Sequence, residues 1–576
     1  MPRMLSVGPA SRALLIGENI RLNFLAIVVG SGSGLIGVGF TYLITLVKNL
    51  FFYQRLDLAD VTPLNHSLGG YVVFVPMVGG FFVGLLVMLA KEAKGHGVPE
   101  VMEAMALRGG KIRPRVTLVK SVASAICIGS GGSVGREGPI IQVGSAAGST
   151  IAQYLRLPAD TRRILVACGA AAGISSVFNT PVAGVLFALE IILLEFKTRS
   201  FVPLVVSSVF GGLMARIFFG SRPAFEVPAY TLASPYELVF YLLLGLLAGI
   251  LAVICITTLY TFENFFDQLP APQYLVTALG GLLLGGVGYF FPQVFGSGYE
   301  VISMALNEEM GLYLLLALVV TKLVAMCLTL GSGGSGGVFS PSLFVGAMFG
   351  GVFGWVVHGF FPEATASYGA YALVGMAAVF AGATRATLTA IIMVFEMTLD
   401  YNIILPLMFA CVISDITSKT LYEETIYTKK LVRRGVLISH DMEVNPFDLI
   451  PVRDVMIRDV DTVNVSTPLY DVWEKLISTG HQGFPVLDNQ KNLVGIITSL
   501  DLRKALRQGK IDGVAGDVAT RKLVVTYPQE TLSQALRKMV THGVGHLPVV
   551  NRDNPKELVG FLTHSRIIDV TKKRLE

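Results

Sequence analysis

One carboxylate stands out for the company it keeps. Glu137 lies in GREGP (Gly135 to Pro139), inside the glycine-rich stretch GSGGSVGREGPIIQVGSAAG that runs from Gly129 to Gly148. A near-copy without an acid, GSGGSGGVFSPSLFVGAMFG, runs from Gly331 to Gly350. Both fit G-S-G-G-S-x-G-x-x-x-P-x-x-x-V-G-x-x-x-G, and both follow K-x-V-A, at Lys120 to Ala123 and Lys322 to Ala325. A glycine-rich entry leaves backbone N–H groups uncovered, and a helix starting there adds a partial positive charge. That combination binds anions with main chain alone. Glu137 would sit where those amides favour a carboxylate, while burial in a membrane favours the neutral acid. A group under two opposed influences can exchange its proton at workable pH. It also resembles a permeant anion and can occupy the anion's place. The bland alternative is an acid that pairs with Arg136 to stabilise the loop.

The elements that position these loops are membrane helices. Of the 576 residues 53% are hydrophobic and only 15% charged, with a mean hydropathy of +0.64, well outside soluble composition. Uncharged runs at Tyr71 to Ala90, Leu238 to Phe262 and Tyr274 to Tyr299 are each long enough to cross a hydrocarbon core of roughly 30 Å. Leu22 to Val47 reads as a first anchor and not a signal peptide, because no small-residue cleavage pattern follows. Arg3, Arg12 and Arg21 before the spans, and Lys429, Lys430, Arg433 and Arg434 after them, place both ends in the cytoplasm. Many segments are short and interrupted by Gly or Pro, which at membrane depth is tolerated where free backbone lines a cavity or is buried in protein.

A second repeat accompanies the first. Gly169 to Ile191 and Gly375 to Met397 stand at matching distances beyond the two loops, and each closes on an acid, Glu190 or Glu396. Two halves with interrupted segments in corresponding places predict an internal repeat with its binding site at the midplane. Near residue 440 the composition turns charged, and a soluble α/β tail repeats internally: Gly483 to Val486 against His546 to Val549, and LVGIITSLDL (Leu493 to Leu502) against LVGFLTHSRI (Leu558 to Ile567). The expected division is 1–20, a cytoplasmic lead; 21–425, the membrane domain; 426–450, a linker; and 451–508 and 509–576, the tail's two copies.

Several other chemistries find little support. Gly32, Gly34 and Gly37 fit GxGxxG but lie in an apolar span, where close helix packing explains them. The Gly129 loop lacks the G-K-[ST] ending of a phosphate-hydrolysing loop. The five cysteines are scattered without CxxC spacing, as small buried hydrophobes. A net charge of +5 without an aromatic-interleaved basic run argues against nucleic acid. No nucleophile–base pair or metal cluster suggests an enzyme.

GREGP, GGVFSP (Gly336 to Pro341) and GHGVPE (Gly95 to Glu100) resemble, in order, the three anion-site motifs of the CLC chloride channel and transporter family, and the tail resembles a CBS-domain pair. The resemblance implies an α-helical polytopic membrane protein, a CLC-like inverted repeat of tilted and partial helices with an α/β tandem CBS module. It further implies a voltage-gated homodimer in the plasma (inner) membrane, each subunit with its own path for chloride or similar small anions. By position, Glu137 matches the gating glutamate. Val338 and Phe339 match the amides that hold the central anion, and Gly97, Arg136 and Gly138 belong to the same motifs. Tyr422, in LYEETIYTKKL, is the match chosen for the tyrosine that closes the site from the cytoplasm, Tyr427 being the competitor five residues later.

Two positions depart from the family pattern. His96 stands where serine usually offers its hydroxyl; an imidazole N–H can donate to the anion, or the ring can turn aside and leave the amides to suffice. Ile191 stands where proton-coupled members commonly place a glutamate, directly after the match to Glu190. That favours a channel as the main reading and a proton-coupled chloride antiporter as the alternative, with Glu195 the nearest substitute carboxylate. A CBS-gated cation carrier is the distant third, since amide-lined loops have the wrong polarity for cations. In the tail, Thr498 and Asp501 match the nucleotide-contacting G-x-x-[ST]-x-x-D pattern, whereas the second copy has Thr563 with Arg566 in the acid's place. Adenine nucleotide is therefore the one cofactor expected there, and none is required for transport.

Overall fold

The computed structural model describes residues 9–59, 61–221, 223–228, 230, 232–436, 447, 450–508, 512–552 and 554–567. Arg3, most of the expected linker beyond residue 436, and the last nine residues lie outside them. The chain divides into two compact units, Met1–His440 and Asp441–Glu576.

The first unit is helical. Its first half contains α1 (Pro9–Tyr53), α2 (Val75–Leu89), α3 (Val98–Leu107), α4 (Arg115–Gly129), α5 (Glu137–Tyr154), α6 (Ala159–Phe178), α7 (Pro181–Phe187) and α8 (Thr198–Phe219). The second half repeats the series with α9 (Glu237–Asp267), α10 (Gln273–Phe290), α11 (Tyr299–Leu306), α12 (Leu312–Gly331), α13 (Phe339–Phe360), α14 (Tyr368–Thr384), α15 (Thr387–Thr398) and α16 (Ile404–Leu421). A short α17 (Thr428–Arg433) follows. Among the described residues, nine helices are long and apolar enough to cross a membrane. Their outward sides are apolar too, as exposed Phe218, Ile254, Leu316 and Ile416 illustrate, which suits helices solvated by lipid.

Packing repeats with the order of elements. α5 lies on α6 as α13 lies on α14, α1 on α8 as α9 on α16, and α2 joins α10 across the halves. Gly34 and Gly37 let α1 approach closely: a Cβ there would stand 2.8 Å from Gly211 O and 2.2 Å from Ser176 Oγ, whereas Gly32 faces open space. All five cysteines are buried and free.

Corresponding breaks also match. The residues that end α6 and α14, Asn179 and Arg385, are both left-handed (φ 59° and 56°), and so are Leu194 and Leu399 (φ 56° and 57°) beyond α7 and α15. A π-helical turn, Ala188–Leu193, extends α7. It carries Glu190, whose carboxylate accepts from the backbone N–H groups of Leu388 (3.1 Å) and Thr389 (2.9 Å) in the first turn of α15. Glu396, on α15, returns the favour by accepting from Val182 (3.0 Å) and Ala183 (2.7 Å) in the first turn of α7. Each acid therefore caps the helix that carries or precedes the other, answering amides that a helix start leaves open.

The second unit contains two small α/β repeats. In the first, β1 (Val463–Asn464) pairs parallel with β2 (Gly483–Leu487), and β2 antiparallel with β3 (Leu493–Thr498), around α18 (Leu469–Thr479) and α19 (Ser499–Arg507). After α20 (Ala515–Val518), the second pairs β4 (His546–Val550) antiparallel with β5 (Leu558–Thr563) beside α21 (Leu532–His542). Each repeat has its own apolar core, one around Val486 and Ile497, the other around Leu547 and Leu562.

Candidate functional site

Three loops from distant parts of the sequence are sewn together by main chain. Gly135 N–H donates to Gly337 O (2.8 Å) and Gly337 N–H to Gly135 O (2.7 Å), an antiparallel bridge between the two glycine-rich loops. Gly95 N–H donates to Gly334 O (3.0 Å) and Gly336 N–H to Gly95 O (3.3 Å), which adds the GHGVPE loop. Gly138 sits at the crossing. A Cβ there would stand 2.1 Å from His96 O and 2.9 Å from Gly337 Cα, so no other residue fits without moving backbone. The starts of α5 and α13 thus face one shared centre, and neither has a side-chain cap. Their open amides and aligned dipoles make that centre attractive to an anion.

Two lysines brace the GHGVPE loop and the matching segment of the second half, around Gly296. Lys120 Nζ donates to Ala93 O (2.9 Å) and Gly95 O (2.6 Å), and Lys322 Nζ donates to Val294 O (3.0 Å) and Gly296 O (2.8 Å). Both side chains are fully buried. The repeated K-x-V-A was visible in the sequence, but its partners lie far along the chain from either lysine.

Glu137 is the first residue of α5 and fully buried. Its Oε1 accepts from the Tyr299 hydroxyl, while Oε2 is buried without a partner. Arg136 turns its guanidinium to Val177 O (3.3 Å) and over the Tyr299 ring (5.2 Å). Val338 and Phe339, at the matching start of α13, are both buried, and the Phe339 ring packs 4.1 Å from that of Phe380 and 5.5 Å from that of Phe178. His96 is 3% exposed, with Nδ1 buried and unpartnered.

The tyrosine assignment is corrected here. Tyr427, not Tyr422, is the one brought to this centre: it is 1% exposed and its ring lies 6.1 Å from that of His96. Tyr422 ends α16, its carbonyl accepts from Arg385, and Lys429 Nζ lies 5.1 Å from its ring. The reason is geometric. After α16 the chain needs five more residues to turn inward, a turn pinned where Ile426 N–H donates to Ala383 O (2.9 Å) and Tyr260 OH to Ile426 O (2.8 Å). Residues 426–431 are consequently part of this core, with Ile426 and Leu431 buried, rather than a free linker.

Around α17 the surface is charged. Arg434 pairs with Glu100 (2.9 Å) and Glu103 (2.8 Å), and Arg433 with Glu263 (3.0 Å). A cavity of about 500 Å³ beside them is lined by five cations, Lys91, Lys94, Lys430, Arg433 and Arg434, against Glu263 and Asp267. Such an excess of positive charge attracts small anions. Ile191 is buried in apolar surroundings, and Glu195 pairs with Lys197 (2.6 Å).

In the tail, Thr498 and Asp501 form a reciprocal cap at the start of α19: Asp501 Oδ2 accepts from Thr498 N–H (3.0 Å) and Oγ1 (2.6 Å). In the second repeat, Thr563 Oγ1 accepts from Arg566 N–H (3.2 Å), and among the described residues no carboxylate completes the pair.

Comparison with known proteins fits this geometry. The family model for voltage gated chloride channels matches residues 79–419, and the CBS domain model matches residues 452–508 and 515–573. The chain belongs to the CLC family of anion transporters, with a CBS pair appended. It is 37% identical over 366 residues to a putative chloride channel protein, ClcB-like, of Ralstonia nicotianae, covering 63% of this chain and 85% of the relative. It is 32% identical over 425 residues to the H(+)/Cl(-) exchange transporter ClcA of Salmonella schwarzengrund, covering 71% and 88%. The crystal structure of a slow cyanobacterial Cl-/H+ antiporter aligns with a TM-score of 0.65 at 27% identity, over 72% of this chain and 98% of that one. A eukaryotic CLC transporter aligns over 95% and 98%, with a TM-score of 0.64 at 20% identity.

Proposed function

We propose that this protein is a proton-coupled chloride antiporter, in which Glu137 is both the plug of the anion path and the carrier of the proton. The observation that carries the reading is the buried Glu137 carboxylate at the meeting of two uncapped helix starts, with one oxygen unpartnered. The relatives named as chloride/proton exchangers support it. When Glu137 is ionised it competes with chloride for the same amides; when protonated it loses that claim and yields. Val338, Phe339, Gly97 and Gly138 supply main chain to the anion, and His96 and Tyr427 close the centre towards the charged cavity. That cavity is the cytoplasmic mouth, both termini lie on its side of the inner membrane, and two copies form the working dimer. The CBS pair binds adenine nucleotide through Thr498 and Asp501, with Thr563 and Arg566 as the altered second site.

Passive conduction is the second reading, favoured by the apolar surroundings of Ile191. Reversal potential across a bilayer with opposed chloride and proton gradients separates the two. Exchange moves the reversal potential when only the proton gradient changes; a channel follows chloride alone, and that result would remove the antiporter.

A further inference from the structure

Tyr299 belongs to none of the anion-site motifs, yet it is the residue that holds Glu137. It opens α11, in the second half of the chain, and its hydroxyl donates to Glu137 Oε1 across the interface between halves. The phenol is not free to follow the glutamate. Its ring is wedged between Phe178 and Phe225, each with centroids 6.0 Å away, and covered by the Arg136 guanidinium at 5.2 Å. Arg136 is itself tied to Val177 O. A fixed donor therefore meets a mobile acceptor.

We propose that Tyr299 is the positioning residue of the gate: its hydroxyl latches Glu137 in the blocking position, and the path opens when that bond breaks. The inference rests on Glu137 being the gate. A hydrogen bond to an ionised carboxylate is stronger than one to a neutral acid, so the latch holds the charged plug harder than the protonated one. Protonation then releases the glutamate in two ways at once, by removing its claim on the amides and by weakening the phenol's grip. The other titratable or charged groups facing Glu137 are Arg136, next to it in the chain, Lys322 on α12 and Tyr427 at the start of α17. Among the described residues none of these three makes a hydrogen bond to the carboxylate, whereas Tyr299 does.

The test is chloride efflux from proteoliposomes containing the full chain, measured from pH 4 to 8 for wild type, Tyr299→Phe, Glu137→Ala and the double variant. Tyr299→Phe keeps the ring and loses the donor. It is expected to raise the midpoint of acid activation by about one pH unit, a tenfold change in proton affinity, and to change nothing further in the Glu137→Ala background. An unshifted profile in Tyr299→Phe overturns the latch. So does an equal effect with and without Glu137, which would mean that the hydroxyl acts on packing alone. Should the phenylalanine protein not reconstitute, Tyr299→Met is read by the same two criteria. Persistence of pH dependence in Glu137→Ala alone would instead overturn the gate reading, independently of Tyr299.

Discussion

The two glycine-rich loops have nearly the same backbone and opposite uses. Gly131 and Gly333 have φ of 97° and 98°, and the residues that open the helices, Arg136 and Val338, have φ/ψ of −85°/−12° and −87°/−10°. The helix before each loop carries a buried lysine that donates to two carbonyls of another segment, Lys120 to Ala93 and Gly95, Lys322 to Val294 and Gly296. The side chain that begins the helix differs. In the first loop it is Glu137, held by a phenol; in the second it is Phe339, locked among Phe178 and Phe380. Backbone makes the attraction twice over, and on the proposed function Glu137 makes it conditional. The comparison teaches that affinity and control are separable here, because main chain does not titrate and a carboxylate does.

The strongest way to break that contrast is to erase it. Glu137→Ala makes both loops permanent cradles, and we expect chloride flux to persist while proton coupling disappears, so that reversal potential follows chloride alone. A folded Glu137→Ala protein without chloride flux would show that the acid builds the path instead of controlling it. The next effect tests the shared scaffold. Among the described residues Lys322→Met leaves the Val294 and Gly296 carbonyls without a donor, at a cost of about 2–3 kcal/mol, whereas after Lys120→Met the Ala93 carbonyl still accepts from Ser335 Oγ (2.8 Å) and the Gly95 carbonyl from Gly336 N–H (3.3 Å). We expect the larger drop in thermal midpoint for Lys322→Met, and equal drops would mean that the remaining donors to Ala93 O and Gly95 O do not compensate.

A smaller effect is expected at His96, on the GHGVPE loop, where the corresponding loop of the second half, Gly296 to Gly298, carries Ser297. His96→Ser should change the permeability ratio of nitrate to chloride by up to about tenfold, with little change in thermal stability. An unaltered ratio would place the ring outside the anion's contacts.

The smallest effect lies in the tail, where corresponding lysines have unlike partners. Lys475 Nζ lies 3.4 Å from Asp461, and Lys538 Nζ lies 2.7 Å from Glu530. Burial works against the Glu530 charge, but bonds from Lys538 and Thr526 hold its carboxyl below the ordinary value of 4.5. A depressed carboxylate contributes stability that is present above that value and lost as pH falls through the lower, folded one. Glu530→Gln should remove this acid-side loss, an effect of less than about 1 kcal/mol for a partly exposed pair. Denaturant titration of the full chain at pH 7 and pH 3.5, following a tail-specific probe, checks it: an unchanged difference between the two pH values would assign the acid sensitivity elsewhere.

Much of this was legible because the repeats are local patterns. G-S-G-G-S, K-x-V-A and the acids at Glu190 and Glu396 announce themselves within a few residues, and helix starts follow from glycine and proline. What the sequence concealed depends on the path between elements. The sequence pattern favours Tyr422 over Tyr427 until the turn at Ile426 shows which one points inward. Tyr299 begins a short helix and carries no pattern, since its partner Glu137 is in the other half. Gly135 and Gly337 look like loop residues, and only the folded chain makes them neighbours.

The exchanged caps at Glu190 and Glu396 also bear on how the protein is made. Val182 and Ala183 leave the ribosome long before Glu396 has been translated, so the nascent first half waits with two amide donors unanswered. It reaches its final form when the later half arrives, and each piece of a chain cut between α8 and α9 would have to find its one missing acid, Glu396 or Glu190, on the other polypeptide.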